Sequence, residues 1–166
     1  SSEDFIYSIA VPTTSGSGAE STKFATIWSE KTKQKFSYEN EHLIPDLVYL
    51  VPEFSKSLTY DLTLTTTLDA LCHAIDSLLN KNSTNQSIDL SKKAISFISK
   101  NLVFLLEDLE NIELRKKILH ASNLSGKAIN ISRTSLNHSI SYPLTNYYGL
   151  PHGLACAFSV VTTFEY

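Results

Sequence analysis

The spacing of apolar residues changes character at Pro52. Before it, short apolar runs alternate with polar residues and end at prolines, which predicts strands. The expected strands are Phe5 to Val11, Phe24 to Trp28 and Leu47 to Val51, the first ended by Pro12 and the last bracketed by Pro45 and Pro52. After Pro52 there is no further proline until Pro143, and the apolar period becomes helical. Leu68, Leu71, Ile75, Leu78 and Leu79 share one face, as do Ala94, Ile95, Ile98, Leu102 and Leu105. The pattern predicts helices over about Thr66 to Leu79, Gln86 to Leu105, Ile112 to Ile129 and Ser135 to Tyr147. The polar run from Asn80 to Asn85 joins the first two. The fold class expected is mainly α with a short β-containing front, divided into residues 1–52 and 53–166.

Composition changes this picture little. Hydrophobic residues make up 42% and charged residues 19% of 166 positions, an ordinary globular mix. The net charge of −3 argues against a nucleic-acid partner. Two basic clusters, Lys31 to Lys35 and Arg115 to Lys117, read as solvated faces. No apolar run approaches the roughly 20 residues of a membrane span, and the first residues lack the pattern of a signal peptide. Two cysteines, Cys72 and Cys156, sit in apolar stretches, which predicts buried free thiols in a reducing cytoplasm.

Histidine placement brings in chemistry. His73 follows Asp69 by four positions in a predicted helix, so carboxylate and imidazole stack on one face, one turn apart. Two donors so placed can close on one metal ion without backbone strain. His138 lies at the start of the last predicted helix, and His152 is held between Pro151 and Gly153 at a helix start. Together the four offer one oxygen and three imidazole nitrogens, a set that suits Fe(II) or Zn(II) and not Mg(II) or Ca(II). A site using both Cys72 and His73 is disfavoured, because adjacent helical residues point apart. His42 and His120 have no such company. The loop Pro12 to Thr22 follows a strand with two glycines and many hydroxyls, which lets a phosphate-bearing ligand approach the backbone. It is neither a Walker A loop nor a complete dinucleotide fingerprint.

In this order the segments resemble the iron-containing (group III) alcohol dehydrogenase family. Pro12 to Thr22 is similar to its Pro-Thr-Thr-x-Gly-x-Gly-Ser-Glu loop, with Ala19 in place of the serine. Leu68 to Asp76 is similar to its Met-Asp-Ala-Leu-x-His-Ala-Ile-Glu helix, and Pro151-His152-Gly153 to its Pro-His-Gly turn. The resemblance implies a dehydroquinate synthase-like helical domain in which Asp69, His73, His138 and His152 hold the metal. It implies that Thr13, Thr14 and Ser17 contact an NAD(P)H cofactor, with Lys35 near its ribose. Tyr142 stands where many relatives carry a proton-relaying histidine, so it takes the catalytic proton role here. The segment around Lys127 and Arg133 looks most like the phosphonoacetaldehyde reductase branch, and both cations would face the substrate's phosphonate. The implied reaction is hydride exchange between NAD(P)H and a small aldehyde or alcohol. The resemblance further implies a cytoplasmic protein without nucleic-acid or membrane partners, its oligomeric state open and a homo-oligomer included. Residues 1–52 would be a remnant of the cofactor-binding domain and 53–166 an incomplete helical domain, a fragment without turnover of its own. Two other readings stay open: a non-catalytic metal-binding or helical interaction remnant, and a metal-dependent lyase on the same scaffold.

Overall fold

A computed structural model describes residues 6–29, 31–32 and 34–165, the side chains at 28, 34, 35, 164 and 165 excepted. Strand β1 (Ile9–Ala10) pairs in parallel with β4 (Leu47–Val48), and β2 (Phe24–Ser29) pairs antiparallel with β3 (Gln34–Glu39). The register sets Phe24 opposite Glu39 and Trp28 opposite Lys35. Six helices follow: α1 (Tyr60–Leu79), α2 (Asn85–Glu107), α3 (Ile112–Ser132), α4 (Leu136–Tyr148), α5 (His152–Ala157) and α6 (Val160–Glu165). A mainly helical protein with a short stranded front is what the periodicity predicts. No helix among the described residues is long and apolar enough to cross a membrane.

The differences have local causes. The first and last expected strands pair over two residues each, and Phe5 lies outside the described residues. Strand β3 was not expected, because its apolar residues Phe36 and Tyr38 share an exposed face beside a basic cluster. Helix α1 begins six residues earlier than its apolar period, where Thr59 accepts a hydrogen bond from the Leu62 amide. The threonine run at 65–67 masks this start, since β-branched residues read poorly as helix. Their hydroxyls donate to the carbonyls one turn back, Thr65 to Asp61, Thr66 to Leu62 and Thr67 to Thr63, each at 2.7 Å. Arg115, read as part of a solvated cluster, is buried. It donates to the carbonyls of Leu109 and Leu58 and to the Thr63 hydroxyl, tying α3 to the start of α1.

Helices α1, α2 and α3 enclose the core. Ala70, Ile98, Leu105, Ile118 and Ala121 form one buried cluster, and Ala74, Ala94 and Leu124 another. The small residues on α1 let its neighbours come close, while its Asp69 and His73 side face α4 and α5. Two glycine contacts then place the site. Gly18, at φ 60°, abuts Gly126 of α3 so closely that a Cβ on Gly126 would lie 2.5 Å from the Gly18 carbonyl oxygen. This brings the 12–22 loop onto the bundle, where Asn123 donates to Glu20 at 3.0 Å and to Ser21 at 2.7 Å. Gly153 meets the Thr65 carbonyl, so α5 crosses α1 backbone to backbone.

A Cβ at position 153 would overlap the Thr65 carbonyl oxygen, whereas one at Gly149 meets nothing within 4 Å. Gly153→Ala is therefore expected to lift α5 off α1 and cost about 2–4 kcal/mol of stability. Gly149→Ala carries only the left-handed backbone penalty of about 1–2 kcal/mol. Chemical denaturation of the two variants compares them; equal losses would mean that the α1–α5 crossing tolerates a methyl group.

Candidate metal centre

Three helices carry donors to one point. Helix α1 contributes Asp69 and His73, α4 contributes His138, and α5 contributes His152 with Cys156 one turn later. Asp69 Oδ1 lies 3.3 Å from His138 Nε2, 3.7 Å from His152 Nε2 and 3.8 Å from His73 Nε2. The structure thus brings together all four residues expected to share a metal. The His73 and His138 rings stack at 4.4 Å, and His152 stands edge-on to His138 at 5.6 Å. Asp69 Oδ1 and His138 Nε2 are buried without a hydrogen-bond partner. Orphaned buried polar atoms are costly and rare in folded proteins. Here they aim at one another across a spacing that a shared divalent ion would bridge, so the donor set fits a metal.

Asp76, two turns after Asp69 on α1, orients this set from behind. It has no exposure and accepts from His138 Nδ1 at 2.8 Å and from Asn137 Nδ2 at 2.8 Å. It also accepts the amides of Ser135 (2.9 Å), His138 (3.1 Å) and Asn137 (3.2 Å). A carboxylate at the first turn of α4 satisfies its free N–H groups and its dipole. The same contact holds the proton of His138 on Nδ1 and leaves Nε2 for a ligand. The linear pattern alone assigns Asp76 no role. Its seven-residue spacing from Asp69, two turns on one helix face, was the available signal.

Charge follows geometry. Burial opposes ionisation of Asp69, yet His73, His138 and His152 hold its carboxyl well below the usual range. Burial likewise opposes a charged Asp76, but its hydrogen bonds from His138 and the backbone bring it down to about 2. Burial lowers His73 to about 4 despite the Asp69 charge. Burial also disfavours a charge on His138, but its two carboxylate neighbours raise it well above the usual imidazole value. Cys156 is buried, which opposes thiolate, yet His138 and His152 bring it to about 7. Burial pushes the Cys72 thiol up, as expected of a core cysteine.

The donors open on a cavity of about 720 Å³. Its walls include Ser17 of the glycine loop, Phe24 and Thr26 of β2, Arg133 and Thr134 after α3, and Tyr142 and Thr145 of α4. Tyr142 lies parallel to the His152 ring, with centroids 6.5 Å apart. Of the expected cofactor contacts, Ser17 lines this cavity, while Thr13 and Thr14 stand earlier in the loop. Lys35 occupies β3 opposite Trp28, and its side chain lies outside the described residues. Arg133 reaches the cavity, ion-paired with Glu39 and set over the Phe24 ring at 5.5 Å. Lys127 does not join it: the side chain is exposed beside His120 and off the cavity wall. Arg133, the residue after the end of α3, turns to the cavity at φ 71°, whereas Lys127 lies within the helix, so the two cations do not line the cavity together. Cys156 is the buried free thiol that its apolar surroundings in the sequence predict. It is also one of four residues, with Asp69, His138 and His152, whose donor atoms lie within 4.8 Å of one another.

The chain is similar to known proteins along most of its length. A model described as "Fe-containing alcohol dehydrogenase family, C-terminal" matches residues 63–166, and one described as "Iron-containing alcohol dehydrogenase" matches residues 2–52. The chain is 36% identical to a phosphonoacetaldehyde reductase of Streptomyces viridochromogenes, over 95% of the chain and 40% of that protein. It is 32% identical to a 1-propanol dehydrogenase of Salmonella typhimurium, over 95% of the chain and 43% of that protein. Among solved structures, a sulfoacetaldehyde reductase of Bifidobacterium kashiwanohense in complex with NAD+ is similar with TM-score 0.88 and 30% identity. That match covers 91% of the chain and 40% of the other. An iron-containing alcohol dehydrogenase of Thermotoga maritima gives TM-score 0.87 and 34% identity, covering 95% and 42%. The chain therefore spans about 40% of the length of these relatives.

Asp76→Asn is expected to cost about 3 kcal/mol or more, because buried donors on α4 lose their charged acceptor. The ordinary Asp value of 3.8 falls to about 2 in the fold. The stability carried by Asp76 is thus complete above pH ~4 and lost as pH falls toward ~2. Denaturation measured across this window should show the parent chain losing more stability on acidification than Asp76→Asn. Equal acid dependence would show that the carboxylate is not the acceptor that matters.

Proposed function

The chain belongs to the iron-containing alcohol dehydrogenase family, and from that premise we propose that it is the metal-binding part of an NAD(P)H-dependent aldehyde reductase or alcohol dehydrogenase. One observation carries this: three imidazole Nε2 atoms stand 3.3–3.8 Å from one buried carboxylate oxygen, at the wall of a cavity that the glycine loop also lines. A divalent ion held by Asp69, His73, His138 and His152, Fe(II) or Zn(II) by donor chemistry, would supply Lewis acidity toward a substrate oxygen. The remaining steps belong to the chain. Asp69 balances the ion's charge, and Asp76 keeps His138 in the ligating tautomer. Ser17, with Thr13 and Thr14 before it and Lys35 on β3, would receive the nicotinamide cofactor. Tyr142 would hold the proton exchanged with the substrate oxygen. Residues 1–52 would belong to the cofactor side and 53–166 to the metal side, a division supported by two separate family matches that leave 53–62 between them.

For the substrate, Arg133 favours an anionic aldehyde. Two similar proteins are named for a phosphonate and a sulfonate aldehyde, and another for an uncharged alcohol. Arg133 sits at φ 71° and ψ 175°, a conformation suited to glycine and costing another residue about 1–3 kcal/mol. Its guanidinium lines the cavity with Glu39 as a surface partner that an anionic substrate could replace.

Recombinant chain is expected to bind about one Fe(II) or Zn(II), and Ala at Asp69, His138 or His152 to abolish retention. Elemental analysis decides it, and unchanged metal in all three variants would remove the metal-centre reading. In the complete enzyme, Arg133→Gly should relieve the backbone strain and leave stability equal or higher by about 1 kcal/mol. The same change should lower kcat/KM for phosphonoacetaldehyde at least about tenfold relative to propanal, the equivalent of ~1.4 kcal/mol. Equal losses on both substrates would assign Arg133 a purely structural role.

A further inference from the structure

The glycine loop meets the cavity through alternate residues: Ser17 and Ala19 are exposed on its wall, while Gly16, Gly18 and Glu20 are buried. Ser17 stands between two backbone contacts, Gly16 on Thr66 of α1 and Gly18 on Gly126 of α3. These contacts limit how deep the loop can sink, but apolar packing is not directional and does not hold it there. Direction comes from α3. Asn123, Gly126 and Asn130 follow one another at steps of three and four, so they share one face of the helix. Asn123 is buried, and its side-chain amide donates to Glu20 Oε1 at 3.0 Å and to Ser21 Oγ at 2.7 Å. A side-chain amide has two N–H donors, and both serve the loop. Two turns later Asn130 Oδ1 accepts the Lys23 amide at 3.0 Å, where the loop passes into β2. Glu20 and Ser21 are each only 8% exposed, so water is poorly placed to replace the Asn123 donors.

We infer that Asn123 is the positioning residue of the glycine loop, holding Ser17 at the height where the nicotinamide cofactor is received. This rests on the cofactor reading above. Among the described residues, those lining the cavity do not include Asn123, so it acts through Glu20 and Ser21. A loop that shifts on α3 loses its cofactor contacts in the ground state and the transition state alike. The loss therefore falls on cofactor binding and not on turnover.

Titration of NADH and NADPH into the complete enzyme, beside steady-state kinetics, tests this. Asn123→Asp keeps the side-chain shape, removes both donors and sets a second carboxyl against Glu20. It should raise the Kd of the tighter-binding cofactor about tenfold or more and leave kcat within about twofold. Asn123→Asp combined with Glu20→Gln reverses the direction of the hydrogen bond, and Kd should return to within about threefold of the parent. An unchanged Kd in Asn123→Asp, with or without a lower kcat, would assign Asn123 to the stability of the fold alone and overturn the inference. A double variant that binds as weakly as the single one would overturn it too. Should Asn123→Asp fail to fold, Ser21→Ala removes one of the two acceptors and should raise Kd about threefold. No rise there would again sink the inference. Ser17→Phe tests the cofactor reading by itself, since it fills the cavity at the loop and should abolish cofactor binding. If Ser17→Phe leaves Kd unchanged, the cofactor lies elsewhere and that reading falls, taking the role of Asn123 with it.

Discussion

The carboxylate of Asp76 is fully buried, and a charge with no access to water must be surrounded by donors or expelled. It finds five, three backbone amides and two side-chain N–H groups, all from Ser135 to His138. That one group therefore starts α4, fixes its angle to α1 and sets the ring of His138. Asn137 extends the arrangement, accepting from Ser159 at 2.8 Å and Thr163 at 3.1 Å, which ties the end of the chain to the same point. The convergence of imidazoles on Asp69 depends on this anchoring, because a His138 free to rotate would not keep Nε2 3.3 Å from the carboxylate.

Backbone proximity does for α5 and the glycine loop what the carboxylate does for α4. Gly153 against Thr65 and Gly18 against Gly126 let main chains touch where any side chain would hold them apart. The first contact places His152 and Cys156 beside Asp69, and the second places Ser17 on the wall of the same cavity. The site is thus assembled from segments joined by close contact and one buried charge, with the apolar core lying to the other side among α1, α2 and α3.

Much of this was readable in the linear pattern, for physical reasons. A helical period survives packing, so α1 to α4 emerge within a few residues except where threonines obscure the start of α1. The four-residue step from Asp69 to His73 forces both side chains onto one face, and so that pair needed no tertiary information. The Pro151-His152-Gly153 turn likewise marks a helix start, which α5 confirms. Strand β3 was illegible because Phe36 and Tyr38 face outward and bury too little to shape a pattern.

What the sequence determined by itself was the inventory: which helices form, which donors share a face, and which family the motifs resemble. Tertiary structure decided which of those residues meet. Only packing could bury Arg115 rather than solvate it, turn Lys127 away from Arg133, pair Arg133 with Glu39, and bring Cys156 within reach of Asp69 and His138. The reason is that helical periodicity specifies direction around one axis alone. The distance between two side chains on different helices depends on how closely those helices approach, and here the glycines and the Asp76 carboxylate set that distance.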